Sequence, residues 1–291
     1  MGVEEYNGTL VHVRRPHDDL MVFRVRPDAP IPPYEAGQWI SIGVGMWESR
    51  VAGLAPECIA DEERVKLVRR PLSISSSILA DGGDALLRLE DESWYELYAT
   101  FPREAPVPPA LTARLFALEP GARMWIAEAP RGQNTLAAVL PDDNVLFAAT
   151  GTGEAPHNRM ILELLRRDHR GRIASFVSTR RRADQAYGDV HERLMRLYPN
   201  YRYVPLATRE NAPRLQQLVQ NGELEERAGF GLDPSRTRVF LCGNPAMVGA
   251  PRLQDGGRVF AHVGGMVELL EARGFHSDPE HRTLNIHFER Y

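Results

Sequence analysis

Ala149-Thr150-Gly151-Thr152-Gly153-Glu154-Ala155-Pro156 follows an apolar run of strand length, Asn144–Ala149, and precedes a helical pattern, Asn158–Arg167. Glycines in such a turn let backbone amides approach a phosphate closely, and the amino-terminal end of the helix favours negative charge. The same residues also fit an ordinary tight connection between a strand and a helix. The turn therefore predicts an α/β unit and, by itself, leaves nucleotide binding open.

The rest of the second half repeats this alternation of strand and helix. Further apolar runs of strand length lie at Ile173–Thr179, Tyr201–Ala207, Thr237–Cys242 and Leu284–Phe288. Helical patterns separate most of them, at Asp189–Tyr198, Arg214–Arg227 and Met266–Arg273. Alternating strands and helices predict a doubly wound parallel sheet.

The first half consists of short runs punctuated by Pro, Gly and Asp. Predicted strands are Leu10–Arg15, Leu20–Arg26, Gln38–Val44, Val65–Ser75, Ala85–Glu90, Tyr95–Phe101 and Met124–Ala129. Leu111–Leu118 has a helical pattern, and Met46–Glu63 has no clear period and is predicted to be an insertion loop. Many short strands joined by turns predict a closed antiparallel barrel. The change of pattern predicts two domains, residues 1–139 and 140–291.

Composition excludes several classes of protein. The net charge of −4 disfavours a nucleic-acid binder that relies on phosphate contacts. No apolar run is long enough to predict a membrane span, and the polar start MGVEEYNGTL lacks a secretion signal, so we expect a cytoplasmic protein. Two distant cysteines, Cys58 and Cys242, do not predict a disulfide framework and cannot ligate an iron–sulfur cluster unaided. No metal site is predicted.

Four short motifs occur in order along the two halves. They are Arg70-Pro71-Leu72-Ser73, the glycine-containing turn within Ala149–Pro156, Leu241-Cys242-Gly243-Asn244-Pro245 and Glu289-Arg290-Tyr291. Together they resemble the motifs of the bacterial ferredoxin/flavodoxin–NADP+ reductase family. The resemblance implies an FAD-binding barrel followed by an NADP(H)-binding α/β domain. It also implies an enzyme that transfers electrons between NADPH and a one-electron carrier, ferredoxin or flavodoxin, by hydride transfer to flavin N5.

The resemblance implies the FAD contacts of the first half. In the family's Arg-x-Tyr-Ser signature the arginine holds the FAD pyrophosphate and the serine faces flavin N5, which assigns Arg70 and Ser73. Leu72 occupies the position of the family's tyrosine. In the family, a short helix contributes a hydroxyl to the FAD phosphates, and the similar helix of this sequence assigns Thr112. Tyr98 and Thr100, on the preceding strand, are further candidates.

The implied catalytic residues are Ser73, Cys242, Glu289 and Tyr291. Taken alone, Cys242 fits a small buried hydrophobic residue. In the family, the cysteine before Gly-Asn-Pro lies beside the nicotinamide. Glu289 and Tyr291 alternate along the last apolar strand, so both side chains point to the same face. The family's aromatic residue at the position of Tyr291 lies flat on the flavin.

Arginines at strand ends favour NADPH over NADH. Arg180 follows the second α/β strand, where a protein specific for NADH often has an acidic residue. Thr208 and Arg209 end the next strand, and Arg214 follows. Arginine is the planar, bidentate partner for a 2′-phosphate, and bacterial reductases have arginines at matching places. The predicted NADP(H) contacts are Thr150, Gly151, Thr152, Gly153, Arg180, Tyr187 (against the adenine), Thr208, Arg209, Arg214, Cys242, Gly243 and Asn244.

Two other functions fit the same residues. One is the reductase component of an oxygenase, or another diaphorase, whose acceptor would differ. The other is a non-catalytic FAD electron-transfer subunit that has lost productive NADPH binding. The arginines and Cys242 argue against the second, and the sequence leaves the identity of the electron acceptor open.

Overall fold

The computed structural model describes residues 5–88, 90, 92–103, 105–254, 257–278 and 284–290. Contacts divide the chain into two compact units. The first contains Met1–Ser76 and Arg88–Gln133, and the second contains Ser77–Leu87 and Asn134–Tyr291. The sequence-based limits at residues 139 and 140 lie a short way beyond this boundary, and they assign the segment Ser77–Leu87 to the first domain instead.

The described strands of the first unit close into an antiparallel barrel. They are β1 (Gly8–His17), β2 (Leu20–Pro27), β3 (Trp39–Gly45), β4 (Leu67–Ser75), β5 (Tyr95–Thr100) and β6 (Arg123–Ile126). Their order around the barrel is β1-β2-β5-β4-β3-β6, and β1 pairs with β6 to close it. Inward side chains such as Phe23, Ile42 and Leu97 are fully buried in one apolar core. The predicted closed barrel is confirmed.

One predicted barrel strand is wrong. In the described part of Ala85–Glu90 there is no strand, and Leu86 makes only an isolated bridge to Leu79. Gly82, with φ +74°, lies in the turn between these two leucines, and the amide of Ala80 donates to the carbonyl of Ala85 at 2.9 Å. The turn at Gly82 therefore folds this segment back on itself instead of extending it along the barrel.

A buried arginine fixes the predicted insertion Met46–Glu63 to the barrel. The insertion contains the short helix α1 (Asp61–Arg64), and Arg114 lies on α2 (Ala110–Leu115), within the predicted helix Leu111–Leu118. Arg114 is 2% exposed, and its Nη2 donates to Met46 O at 3.0 Å and to Glu57 Oε2 at 2.5 Å. This hydrogen bond lowers the pKa of Glu57 from its usual 4.5. A buried cation requires such partners.

Arg114→Met is expected to lower the free energy of unfolding by about 2–4 kcal/mol, because Met46 O and Glu57 lose a charged donor in a buried place. Since the pKa of Glu57 is lowered in the folded protein, the contribution of the pair is present above pH 4.5 and is lost as the pH falls below it. Urea unfolding at several pH values measures this. The control is Arg64→Met, which breaks an exposed ion pair with Asp61 and is expected to cost less than about 1 kcal/mol. Equal effects of the two substitutions would contradict the prediction.

The second unit contains a parallel sheet, as predicted for a doubly wound fold. Its described strands are β7 (Asn144–Thr150), β8 (Ile173–Thr179), β9 (Tyr201–Ala207), β10 (Thr237–Gly243) and β13 (Ile286–Arg290), in the order β13-β10-β7-β8-β9. A separate hairpin is formed by β11 (Pro251–Gln254) and β12 (Gly257–Phe260). The helices are α3 (Glu154–Arg166), α4 (Gly188–Leu197), α5 (Leu215–Asn221), α6 (Glu223–Ala228), α7 (Pro245–Val248) and α8 (Met266–Glu271).

Both faces of this sheet are covered by helices. Leu146 and Ala148 of β7 join a buried apolar core with residues of α5 to α8 on one face. Because side chains alternate along a strand, Phe147 points to the other face, where the ring of His157 from α3 lies 5.0 Å from it. Among the described residues no helix is both long and apolar enough to cross a membrane.

Three details of the second unit differ from the sequence-based expectation. The predicted helix Arg214–Arg227 is two helices, because Gly222 between α5 and α6 has φ +74° and ends α5 in the left-handed conformation. The hairpin of β11 and β12 was not predicted. The last strand is shifted relative to Leu284–Phe288, because its first pair is formed by Ile286 with Val239.

Candidate functional site

The sheet order creates a switch point between β7 and β10. From β7 the chain proceeds to β8 and β9 on one side, and then crosses to β10 and β13 on the other side. In open α/β sheets, ligands bind in the crevice at the carboxyl ends of the strands, where the order reverses. The glycine turn, Thr150–Gly153, follows β7 at this place, and a second turn, Cys242–Asn244, ends β10 beside it.

The two turns interlock through their glycines. The amide of Asn244 donates to Thr150 Oγ1 at 2.7 Å. A Cβ added to Gly153 would lie 2.6 Å from the carbonyl carbon of Cys242, and closer still to its oxygen. A Cβ added to Gly243, whose φ is +126°, would lie 2.7 Å from Thr150 O. Only glycine fits at either position, so the sequence of each turn is required by its contact with the other.

The outer side of the glycine turn is open. Gly151 has φ +54°, and a Cβ added there would meet nothing within 4 Å among the described residues. Thr152 is partly exposed, and α3 begins directly after Gly153. The first N–H groups of a helix have no partner within the helix, and its dipole places partial positive charge there. This part of the sheet edge therefore fits the diphosphate of a dinucleotide.

Arginines lie at the neighbouring strand ends. Arg180 follows β8, Arg209 follows β9, and Arg214 precedes α5; all three are exposed, and none has a carboxylate partner among the described residues. The strand ends are tied together, because the amide of Arg209 donates to Arg180 O at 2.8 Å and Thr208 Oγ1 donates to Thr179 O at 3.0 Å. The carboxyl ends of β8 and β9, next to the glycine turn, therefore carry unpaired positive charge.

Three predicted contacts of the dinucleotide are less open in the structure. Tyr187 is buried, so its ring does not offer a free face to an adenine. Cys242 is also fully buried, in the position of a small core residue on β10. The side chain of Asn244 accepts from the amide of Ala246 at 2.8 Å and so caps α7. The assignment of these side chains to a ligand stays a prediction.

The residues predicted to bind FAD lie on β4, β5 and α2 of the first unit. Arg70 is exposed, donates only to its neighbour's carbonyl, Arg69 O, at 2.7 Å, and has no carboxylate partner among the described residues. Leu72 packs against the barrel core. Ser73 and Tyr98 are buried, Thr100 is exposed, and Thr112 Oγ1 donates to Pro109 O at 3.3 Å. The unpaired charge of Arg70 leaves it available to a pyrophosphate.

A buried ion pair near these residues was not predicted. Arg24 of β2 and Glu96 of β5 face each other in the barrel register, with Nε and Oε2 2.9 Å apart, and Glu96 is also opposite Ser75. The guanidinium of Arg24 also lies 5.1 Å from the ring centroid of Trp94. The signal in the sequence was an arginine and a glutamate inside otherwise apolar strands, which require a partner when buried.

The last predicted motif is only partly described. Glu289 is partly buried on β13, where it pairs in register with Cys242 of β10. This register brings Glu289 next to the second turn. Tyr291 lies outside the described residues, so its predicted contact with the flavin stays a prediction.

Sequence reasoning also missed a polar cluster beneath the glycine turn. Glu154, the first residue of α3, is fully buried, and its Oε1 lies 3.0 Å from Nε2 of His191 on α4. Tyr201 of β9 lies with its hydroxyl 2.7 Å from His191 Nδ1. His157, one turn after Glu154, is buried without a hydrogen-bond partner among the described residues, and burial lowers its pKa to about 3. In the described part of the chain no group of three or more His, Cys, Asp or Glu side chains could hold a metal ion.

Comparison with known proteins agrees with this geometry. Residues 147–252 match the model of the oxidoreductase NAD-binding domain. A flavodoxin/ferredoxin–NADP reductase of Escherichia coli is 25% identical over 233 residues, which are 78% of this chain and 81% of that protein. The reductase component of phenol 2-monooxygenase from a Pseudomonas strain is 32% identical over 116 residues, 37% of this chain and 31% of that protein.

The fold has a match over nearly its whole length. A ferredoxin NADP+ reductase from Neisseria gonorrhoeae, solved with FAD and NADP bound, superposes with a TM-score of 0.71 at 19% identity, over 98% of this chain and 97% of that one. Barrel, interlocked turns and family model together define a two-domain oxidoreductase with an NAD-binding domain. Over most of its length the chain is similar to bacterial flavodoxin/ferredoxin–NADP reductases.

Proposed function

We propose that this protein is an FAD-dependent reductase that transfers electrons between NADPH and a one-electron carrier protein, ferredoxin or flavodoxin. A bound flavin supplies the chemistry, because it exchanges hydride with a nicotinamide and single electrons with a carrier. The observation that carries the proposal is the pair of interlocked glycine turns at the switch point, which fits a dinucleotide diphosphate. The FAD and NADP of the Neisseria structure and the name of the Escherichia coli relative support it.

Different residues of the second unit would bind different parts of the dinucleotide. Backbone amides of Thr150–Gly153 and the start of α3 would bind the diphosphate. Arg180, Arg209 and Arg214 would bind the 2′-phosphate, since their charges have no carboxylate partner among the described residues. Glu289, next to Cys242 in the strand register, would lie at the nicotinamide end, together with the second turn.

In the first unit, Arg70 would bind the pyrophosphate of FAD, and Ser73 would hold the flavin near N5. Thr112, Tyr98 and Thr100 are further candidates for contacts with FAD. Leu72 replaces the family's tyrosine and packs into the barrel core, so it would contribute apolar contact and no hydroxyl. The cytoplasmic location inferred from the sequence remains part of this proposal.

The relative from phenol 2-monooxygenase favours a second candidate, the reductase component of an oxygenase. Its match covers 31% of that protein, whereas the flavodoxin/ferredoxin reductase of Escherichia coli matches over 81% of its length. The chain has only two cysteines, which cannot ligate an iron–sulfur cluster by themselves. A cluster held by these residues alone could therefore not accept electrons from the flavin, and the longer match favours the ferredoxin or flavodoxin reductase.

The test is to purify the protein, identify its flavin by spectrum and mass, and follow its reduction by NADPH in stopped flow. Reduced protein is then mixed with ferredoxins and flavodoxins isolated from the same cells. Rapid reduction of one carrier supports the proposal. Bleaching by NADPH without transfer to any of these carriers would favour an oxygenase partner, and absence of bleaching would favour a non-catalytic subunit.

Arg70→Ala is expected to weaken FAD retention, because the pyrophosphate loses a charge-assisted bond worth about 1.5–3 kcal/mol. The flavin dissociation constant should rise by roughly 10- to 100-fold at constant ionic strength. The control is Arg64→Ala, since Arg64 is exposed but already paired with Asp61. An unchanged flavin content and dissociation constant in Arg70→Ala would remove Arg70 from the proposed site.

A further inference from the structure

A buried carboxylate follows directly after the glycine turn. Glu154 is 0% exposed, and only one of its oxygens, Oε1, has a hydrogen-bond partner, His191 Nε2. The other oxygen, Oε2, is buried without a hydrogen-bond partner among the described residues. Burying an incompletely paired carboxylate is costly, and native structures rarely do it without a reason. The reason must lie in what surrounds this position.

Three neighbouring side chains contact His191. It is 0% exposed on α4, and the ring of Tyr203 stacks on it at 4.4 Å and 18°. The hydroxyl of Tyr201 lies 2.7 Å from Nδ1. Burial and the nearby Glu154 raise the pKa of Tyr201 well above its usual 10, so this hydroxyl keeps its proton. The imidazole is thus fixed with one nitrogen on the carboxylate and the other on a neutral hydroxyl.

The position of Glu154 creates an electrostatic conflict. The amino-terminal end of α3 carries partial positive charge, which stabilises one nearby anion. The diphosphate of a dinucleotide at the glycine turn would use that same end of the helix. A free negative charge on Glu154 would oppose the diphosphate, and burial strengthens this repulsion because few water molecules screen it.

We propose that His191 neutralises the buried carboxylate of Glu154 and thereby keeps the start of α3 available to the diphosphate. The contact that does this is the one between His191 Nε2 and Glu154 Oε1, at 3.0 Å. They are positioning residues, because neither side chain is exposed enough to contact the ligand. This inference rests on the proposed function, since it requires a dinucleotide at the glycine turn.

The experiment measures the dissociation constant of NADP+ by titration calorimetry for four proteins: the parent, His191→Gln, Glu154→Gln and the double variant. His191→Gln is expected to bind NADP+ roughly tenfold more weakly, the size of a charge effect at a partly buried helix end. Glu154→Gln is expected to bind at least as tightly as the parent. The double variant is expected to return to within about threefold of the parent, because no charge is left to neutralise.

A second ligand, 2′-AMP, separates this effect from general loosening of the domain. It carries the 2′-phosphate but lacks the diphosphate, so its dissociation constant is expected to be the same in all four proteins. Equal losses for NADP+ and 2′-AMP would overturn the inference, and so would a double variant as weak as His191→Gln. If His191→Gln fails to fold, Glu154→Gln still decides: binding of NADP+ more than about threefold weaker than in the parent contradicts the proposed repulsion.

Binding by the parent protein separates failure of this inference from failure of the proposed function. Binding of NADP+ and 2′-AMP by the parent, with identical values in every variant, would overturn only the role of His191. A parent that binds neither ligand would overturn both this inference and the proposed function.

Discussion

Gly153→Ala is expected to remove most of the affinity for NADP+. The added Cβ would lie 2.6 Å from the carbonyl carbon of Cys242. That atom belongs to the main chain of β10 and cannot rotate away, so the glycine turn and the second turn must separate. Displacing a phosphate cradle by about 1 Å misaligns several hydrogen bonds at once, and we expect the dissociation constant to rise by about 100-fold.

The matched control is Gly188→Ala, in the same unit. Gly188 begins α4, has no positive φ, and its Cβ would meet only the Cβ of Gln185, at 3.9 Å. Alanine is a better helix residue than glycine, so stability should be equal or slightly higher and NADP+ affinity within about twofold of the parent. Calorimetric titration and thermal unfolding measure both effects. If Gly153→Ala bound NADP+ as the control does, the interlock of the two turns would not be needed for the site.

The glycine turn could be predicted because its signal is local. A strand, two glycines and a helix follow one another within a short stretch, and each requires only its own residues to be recognised. The reason that Gly153 and Gly243 must be glycine is not local, because it arises only when β7 and β10 become neighbours in the sheet. The sequence predicted the glycine turn and the motif Leu241–Pro245, but not the contact between them.

The buried polar residues illustrate the same limit. A glutamate in the first turn of a helix is normally exposed, but Glu154 is buried and meets His191 from α4. Arg114 is likewise buried on a short helix, where it holds the insertion through Glu57. Each partner is far away in sequence, so no periodicity reveals the pair.

Two of the errors in secondary structure have a different cause, which is glycine in the left-handed conformation. Gly82 turns the segment predicted as strand Ala85–Glu90 back on itself, and Gly222 divides the helix predicted at Arg214–Arg227. Periodicity alone does not show that the chain reverses or breaks between two apolar runs.

Arg180→Ala and Arg209→Ala are each expected to change the preference between NADPH and NADH. Each arginine is exposed and lacks a carboxylate partner among the described residues, so its charge is available to a 2′-phosphate. A charged hydrogen bond contributes about 1.5–3 kcal/mol, which predicts a rise of roughly 10- to 100-fold in KM for NADPH. KM for NADH should change little, because NADH has no 2′-phosphate to lose a contact.

The main chain at these strand ends should not move when the side chains are removed. The amide of Arg209 donates to Arg180 O, and this bond is retained in both variants. The control is Arg182→Ala, since the guanidinium of Arg182 is exposed nearby but already pairs with Glu192 at 3.2 Å. Its KM values should stay within about twofold of the parent for both cofactors. Steady-state kinetics with NADPH and NADH, using ferricyanide as acceptor, give both KM values for the parent and for each of the three variants. Equal damage to both cofactors would show that Arg180 and Arg209 support the sheet edge, whereas loss confined to NADPH would place the 2′-phosphate between β8 and β9.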